Sequence, residues 1–319
     1  MSMLERYQTL LILVAVGLGL AIGQAELIAP YAEKLIIPFL VVMLYGLFLN
    51  IPLHHIKAAF RNIKFLGLST MLNFVWTPLL AWLLGWLFLS DHPALWIGFI
   101  MLMVTPCTDW YLMFTRMAKG NVPLSTSILP VNLILQVLLL PVYLLIFAGS
   151  IQTIPLATLT ESVLIVLVIP FVLAHATRWM FRNKPAFLEN KTSPFFSSAQ
   201  IVLLCLAITA MFASQGAILL NNMDAVYRLI LPVLLYFGIN FAIGIITGRL
   251  FNLSRADAVS LNLTVVARNS PVALAIAVTA FPDQPLIALA LVVGPLFELP
   301  VLAVITQGLL LLQPKEDTG

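Results

Sequence analysis

The sequence predicts an all-α integral membrane protein of ten transmembrane helices. They form a five-plus-five inverted repeat, with broken fourth and ninth helices crossing near the bilayer midplane. Three observations carry this expectation. Of 319 residues, 61% are hydrophobic and 9% are charged, whereas a soluble domain carries about 25% charged residues. The apolar residues fall into ten long runs, and nearly all charges lie between them. Two of the runs are interrupted by proline beside polar side chains. One bilayer span takes about 20 residues, so ten spans leave no room for a soluble domain. Soluble enzymes, nucleic-acid binders and secreted disulfide scaffolds are thereby excluded. The runs also lack the alternation of barrel strands.

In chain order the runs are Tyr7–Gly23, Leu35–Leu53, Leu66–Leu89, Ala94–Met117, Val122–Phe147, Leu159–Met180, Phe195–Gly216, Val226–Phe251, Ala256–Phe281 and Pro285–Leu311. The segment before the first run contains Glu5 and Arg6. It lacks the positive character of a signal peptide, so the run is expected to stay as a span. Lys and Arg set the orientation, being enriched in cytoplasmic loops. The even-numbered loops carry eleven (Lys57, Arg61, Lys64, Arg116, Lys119, Arg178, Arg182, Lys184, Lys191, Arg249 and Arg255), and the odd-numbered ones carry two, Lys34 and Arg228. Both ends are therefore expected in the cytoplasm of a cell whose cytoplasmic membrane the chain spans, which requires an even number of spans. Sliding the chain by about half its length superposes Pro123-Leu124 on Pro285-Leu286, Cys107 on Asn269 and Gln136 on Glu298. This suggests repeats near 1–150 and 151–319, inverted because each holds an odd number of spans.

The breaks are the most informative places. The fourth run reads Met101-Leu-Met-Val-Thr-Pro-Cys-Thr-Asp-Trp110, and the ninth reads Thr264-Val-Val-Ala-Arg-Asn-Ser-Pro-Val272. Proline removes a backbone donor and frees a carbonyl. Non-helical backbone at membrane depth is tolerated only where it is buried in protein or lines a cavity. Paired interruptions in two halves point to a transporter's binding site. Counting from the nearest loops at 1.5 Å per residue puts Cys107 and Arg268 about 18–21 Å deep, with Asn132 and Glu298 at similar depth.

A lone cysteine is usually a small buried hydrophobe. Cys205, amid Leu and Ala, keeps that reading, whereas Cys107 sits inside the polar break and is a candidate ligand. Asp109, Arg268 and Glu298 each need a partner, because an arginine at a helix centre costs about 2.5–3.5 kcal/mol on insertion scales. An Asp109–Arg268 ion pair would join the two broken helices. Burial raises the pKa of a carboxyl, which suits Glu298 to reversible protonation. The four histidines lie near helix ends. The two cysteines fit no zinc or disulfide framework, and no phosphate-binding or hydrolytic motif is present. Neither a cofactor, a metal nor catalytic chemistry is expected.

At these residues the chain resembles the arsenite-efflux permeases, the arsenical-resistance branch of the bile acid:sodium symporter-like transporters. Thr105-Pro-Cys-Thr108 followed by Lys119-Gly120, Asn132 with its following leucine, and Val292-Val-Gly-Pro-Leu-Phe-Glu-Leu-Pro-Val301 match that family's motifs. The resemblance implies that Cys107 and Glu298 act as a functional pair and that the repeats form a panel and a core subdomain. The chain departs from the pattern at Arg268-Asn-Ser-Pro-Val-Ala273, where the family carries a glutamate and sodium-coupled relatives carry Glu and Gln. A fixed guanidinium there would stand in for a cation or bind an anionic substrate.

Two readings of function remain at this point, besides a receptor or structural subunit built on a transporter fold. In one, a proton-coupled exporter holds arsenite at the Cys107 thiol, a soft ligand, with Thr108, Asn132, Asn269 and Ser270 around it. In it, Glu298, Asp109 and Arg268 serve coupling. In the other, an organic anion is clamped by Arg268. Small molecule, protons and lipid are the expected partners, and nucleic acid is not.

Overall fold

The computed structural model describes residues 8–25, 29–50, 59–108, 111–148, 161–162, 164–182, 193–220 and 223–312. Regular structure among them consists of helices: α1 (Gln8–Ile22), α2 (Ala29–Asn50), α3 (Ile63–Leu89), α4 (Pro93–Met103), α5 (Tyr111–Met117), α6 (Val122–Tyr143), α7 (Leu164–Met180), α8 (Ser193–Leu220), α9 (Met223–Leu250), α10 (Arg255–Val266), α11 (Ser270–Ala280) and α12 (Pro285–Leu311). Stretches of α2, α3, α6, α9 and α12 are long and apolar enough to cross a membrane, and shorter apolar stretches lie in α1, α4, α7, α8 and α11. The predicted fourth run is divided into α4 and α5, and the ninth into α10 and α11.

Local sequence explains where these pieces begin. Asn121, Ser254 and Asn269 cap α6, α10 and α11, each accepting a backbone N–H from three residues on, at 3.1, 3.2 and 3.4 Å. Such caps satisfy orphan donors at helix starts. Proline occupies the first turn of α4, α6, α11 and α12, where its missing N–H costs nothing. A π turn, Leu72–Trp76, interrupts α3, placing an extra residue in the helix as π-bulges at functional sites often do.

Two packing groups emerge. In one, α8 runs along α1 and α2, and α7 lies against α2. In the other, α12 packs on α4 and α11, α9 on α10, and α3 on α4. The α4–α12 seam depends on small residues: a Cβ on Gly98 would lie 2.7 Å from the Ile287 carbonyl, and one on Gly294 would lie 2.7 Å from Leu102. Small residues let membrane helices approach this closely. Many large apolar side chains face outward, Leu13, Leu83, Leu138, Val172 and Leu231 among them, as lipid-facing surface requires.

Polar groups tie the two ends of the second group. At one end Arg228 makes a 3.0 Å ion pair with Asp91. At the other, Asn121 donates to Asp257 at 2.8 Å, and Ser260 donates to the Asn121 carbonyl at 3.1 Å. The turn leading there passes through Lys119, at φ 57° in the left-handed region. These contacts fasten the turn between α5 and α6 to the start of α10.

Candidate functional site

The two breaks meet. Proline at 106 cannot continue the ladder of α4, and the Thr105 hydroxyl lies within 3.2 Å of the Met101 and Leu102 carbonyls, satisfying backbone that the break orphans. The chain beyond runs extended and antiparallel to the segment between α10 and α11. Pro106 bridges Arg268, flanked by Cys107 N donating to the Ala267 carbonyl at 3.0 Å and Asn269 N donating to the Thr105 carbonyl at 2.7 Å. The Thr105 hydroxyl also approaches the Asn269 carbonyl at 3.2 Å. The half-chain offset that superposes Cys107 on Asn269 also superposes Pro106 on Arg268.

The crossing gathers most of the residues expected from sequence. Cys107, Thr108, Asn269 and Ser270 are all buried there, and the Asn269 amide donates to the Thr108 hydroxyl at 3.1 Å. Neither Cys107 nor Cys205 is in a disulfide. Asn132, also buried, reaches from α6 to the Thr264 hydroxyl at 3.4 Å. Glu298, from α12, accepts the backbone N–H of Arg268 at 2.7 Å. Its carboxylate is thus fastened to the unwound segment. Asp109 lies outside the described residues, and so does its expected pairing with Arg268.

The Arg268 side chain is 1% exposed and yet meets carbonyl oxygens. Its Nη1 donates to the Met103 carbonyl at 2.9 Å, Nε to the Val266 carbonyl at 3.3 Å, and Nη2 to Asn73 Oδ1 at 3.1 Å and to the Val265 carbonyl. Met103 ends α4, and Val265 and Val266 end α10, so the guanidinium caps both half-helices at once. Each helix C-terminus carries about half a negative charge. Two of them balance one guanidinium. Tyr236 adds its ring face 5.5 Å from the guanidinium carbon, and its hydroxyl donates to the Met103 carbonyl at 3.0 Å.

Asn73, Tyr236 and Asn240, the last accepting from Trp76 Nε1 at 3.0 Å, were not expected here. The two amides stand alone in apolar runs, a signal that a criterion based on proline breaks passes over. Gln136, one turn beyond Asn132 on α6, is buried, and neither atom of its amide has a hydrogen-bond partner among the described residues. No group of three or more His, Cys, Asp or Glu gathers among the described residues.

Unwound half-helices crossing in the core, with polar side chains converging on them, are how membrane transporters build binding sites. The comparison with known proteins agrees with that class. Residues 37–222 match the model of the Sodium Bile acid symporter family, and the chain belongs to that family. It is a multi-pass integral membrane transporter rather than an enzyme. It is 28% identical to an arsenical-resistance protein Acr3 of Corynebacterium glutamicum, over 98% of this chain and 90% of the relative. A second arsenical-resistance protein Acr3, from Alkaliphilus metalliredigens, is 24% identical over 93% and 90%. An uncharacterized transporter of Synechocystis sp. is 27% identical over 96% and 88%.

Proposed function

We propose that the chain exports arsenite, or a related trivalent metalloid, across the cytoplasmic membrane in exchange for protons. The observation that carries this reading is the buried Cys107 thiol at the crossing, in a chain similar over nearly its full length to arsenical-resistance proteins. Thiolate sulfur is a soft ligand suited to As(III). Arsenious acid reacts with a thiol by forming an S–As bond while one As–OH bond breaks. The thiol proton and the departing hydroxide leave as water. The remaining hydroxyls would be held by Thr108, Asn132, Asn269 and Ser270.

Coupling falls to Glu298. Its carboxylate is bound to the backbone of the second break, so gaining a proton there changes the hold on the site itself. The packing supports a division into a panel of α1, α2, α7 and α8 and a core of the remaining helices, rocking against each other about the crossing. In this reading the spans number ten, the halves are inverted repeats, and the arginine- and lysine-rich loops and both termini are cytoplasmic. The bridging of Pro106 with Arg268 supports the repeat, because an antiparallel pair of equivalent residues is what a two-fold axis through the crossing produces. An organic anion clamped by Arg268 is less well supported. The guanidinium donors are already engaged by carbonyl oxygens.

An arsenite-sensitive host tests the proposal. Wild type is expected to restore growth on arsenite, Cys107→Ala to fall to the empty-vector level, and Cys205→Ala to protect as wild type does. Equal protection by wild type and Cys107→Ala would overturn the thiol mechanism.

A further inference from the structure

We infer that the Arg268 guanidinium fills a monovalent-cation site built from the broken helices, and that shortening this side chain opens the site to a sodium ion. The inference concerns the same crossing as the transport reading, but it holds whatever the substrate.

The surroundings of the guanidinium are those of a bound cation. Its acceptors are three main-chain carbonyls and one amide oxygen: Met103 at the end of α4, Val265 and Val266 at the end of α10, and Asn73 Oδ1. Carbonyl oxygens from unwound backbone and half-helix C-termini are the groups with which transporters coordinate sodium, and rings of carbonyls replace hydration shells in cation channels. Among the described residues no carboxylate forms an ion pair with the guanidinium. The acidic group closest along this network, Glu298, instead takes the main-chain N–H of the same residue. Compensation comes from two helix ends of about half a charge each. That field is independent of the arginine and persists when the side chain is removed.

The π turn in α3 belongs to this site. It carries Asn73, which is fully buried and turned so that its Oδ1 meets Nη2 while its main-chain carbonyl accepts from Thr77 at 2.6 Å. The amide is turned with its oxygen toward the positive charge, while its nitrogen finds no hydrogen-bond partner among the described residues. A guanidinium tethered to the unwound segment cannot dissociate. The consequence is a site permanently loaded with positive charge, stable with no external cation.

Thermal unfolding of purified, detergent-solubilised full-length chain is the test, in sodium, potassium and choline chloride at equal ionic strength. Wild type and Arg268→Lys are expected to melt at the same temperature in all three salts. Arg268→Ser is expected to melt lower in choline and to recover by about 2–5 °C in about 100 mM sodium, the stabilisation that a ligand well above its dissociation constant confers. Adding Asn73→Ala to Arg268→Ser should abolish the recovery. A sodium-dependent shift in wild type overturns the proposal, because the site would then not be filled. Arg268→Ser or Arg268→Gln that fold but respond identically to sodium and choline also overturn it. So does failure of both to fold in any salt, which would make the guanidinium irreplaceable by an ion. Since no arsenite enters the measurement, its failure leaves the substrate reading standing, and loss of arsenite tolerance leaves this one standing.

Discussion

Glu298 and Cys107 approach the crossing from different elements, and the proposed mechanism gives them different roles. Cys107 lies in the strand-like segment itself, its own N–H tied to the Ala267 carbonyl, so its thiol is held by backbone that cannot shift without breaking the crossing. Glu298 comes from an unbroken helix and grips the other segment through the Arg268 N–H. An amide at this position keeps an acceptor for that N–H but cannot exchange a proton. Glu298→Gln is therefore expected to fold and melt much as wild type does, and to retain arsenite exchange between equal concentrations. It should lose accumulation driven by a pH gradient. Unchanged gradient-driven accumulation would remove Glu298 from coupling.

At the scale of elements, the half-helices are positioned by seams with no slack. Gly98 of α4 sits on the Ile287 carbonyl of α12, whereas Gly67 of α3 faces open space within 4 Å. Gly98→Val is expected to cost about 1–3 kcal/mol by overpacking and to lower the melting temperature, while Gly67→Ala should be neutral or slightly stabilising. Equal melting of the two variants would show that the α4–α12 seam does not hold the site. The breaks themselves are legible: Pro106 beside Thr105 follows the end of α4, and Pro271, two residues past Asn269, marks the start of α11. What Arg268 binds is not. Main-chain carbonyls are present at every position, so a side chain satisfied by helix ends leaves no partner to read in the sequence. The carboxylate expected to pair with Arg268, Asp109, lies outside the described residues, and the main-chain partners of the guanidinium that are described are carbonyls at two helix ends. Asn73 was hidden for a related reason, since only the π turn of α3 aims a lone amide into the crossing.

Among the described residues, the molecule joins a lipid-facing exterior to a buried polar crossing. Composition makes the exterior unavoidable, and the division into a panel of α1, α2, α7 and α8 and a core that carries the crossing belongs to the proposed transport cycle. Family membership makes the chain a transporter, while the thiol at the crossing and the resemblance to arsenical-resistance proteins select the cargo proposed here. Flux is where these meet. Purified protein in proteoliposomes with an acidic lumen and a neutral bath, supplied with arsenite, measures it directly. The account predicts arsenite accumulation in the lumen that collapses when the pH gradient is dissipated and is absent with Cys107→Ser. No gradient-dependent uptake by wild type, or equal uptake by Cys107→Ser, would contradict it.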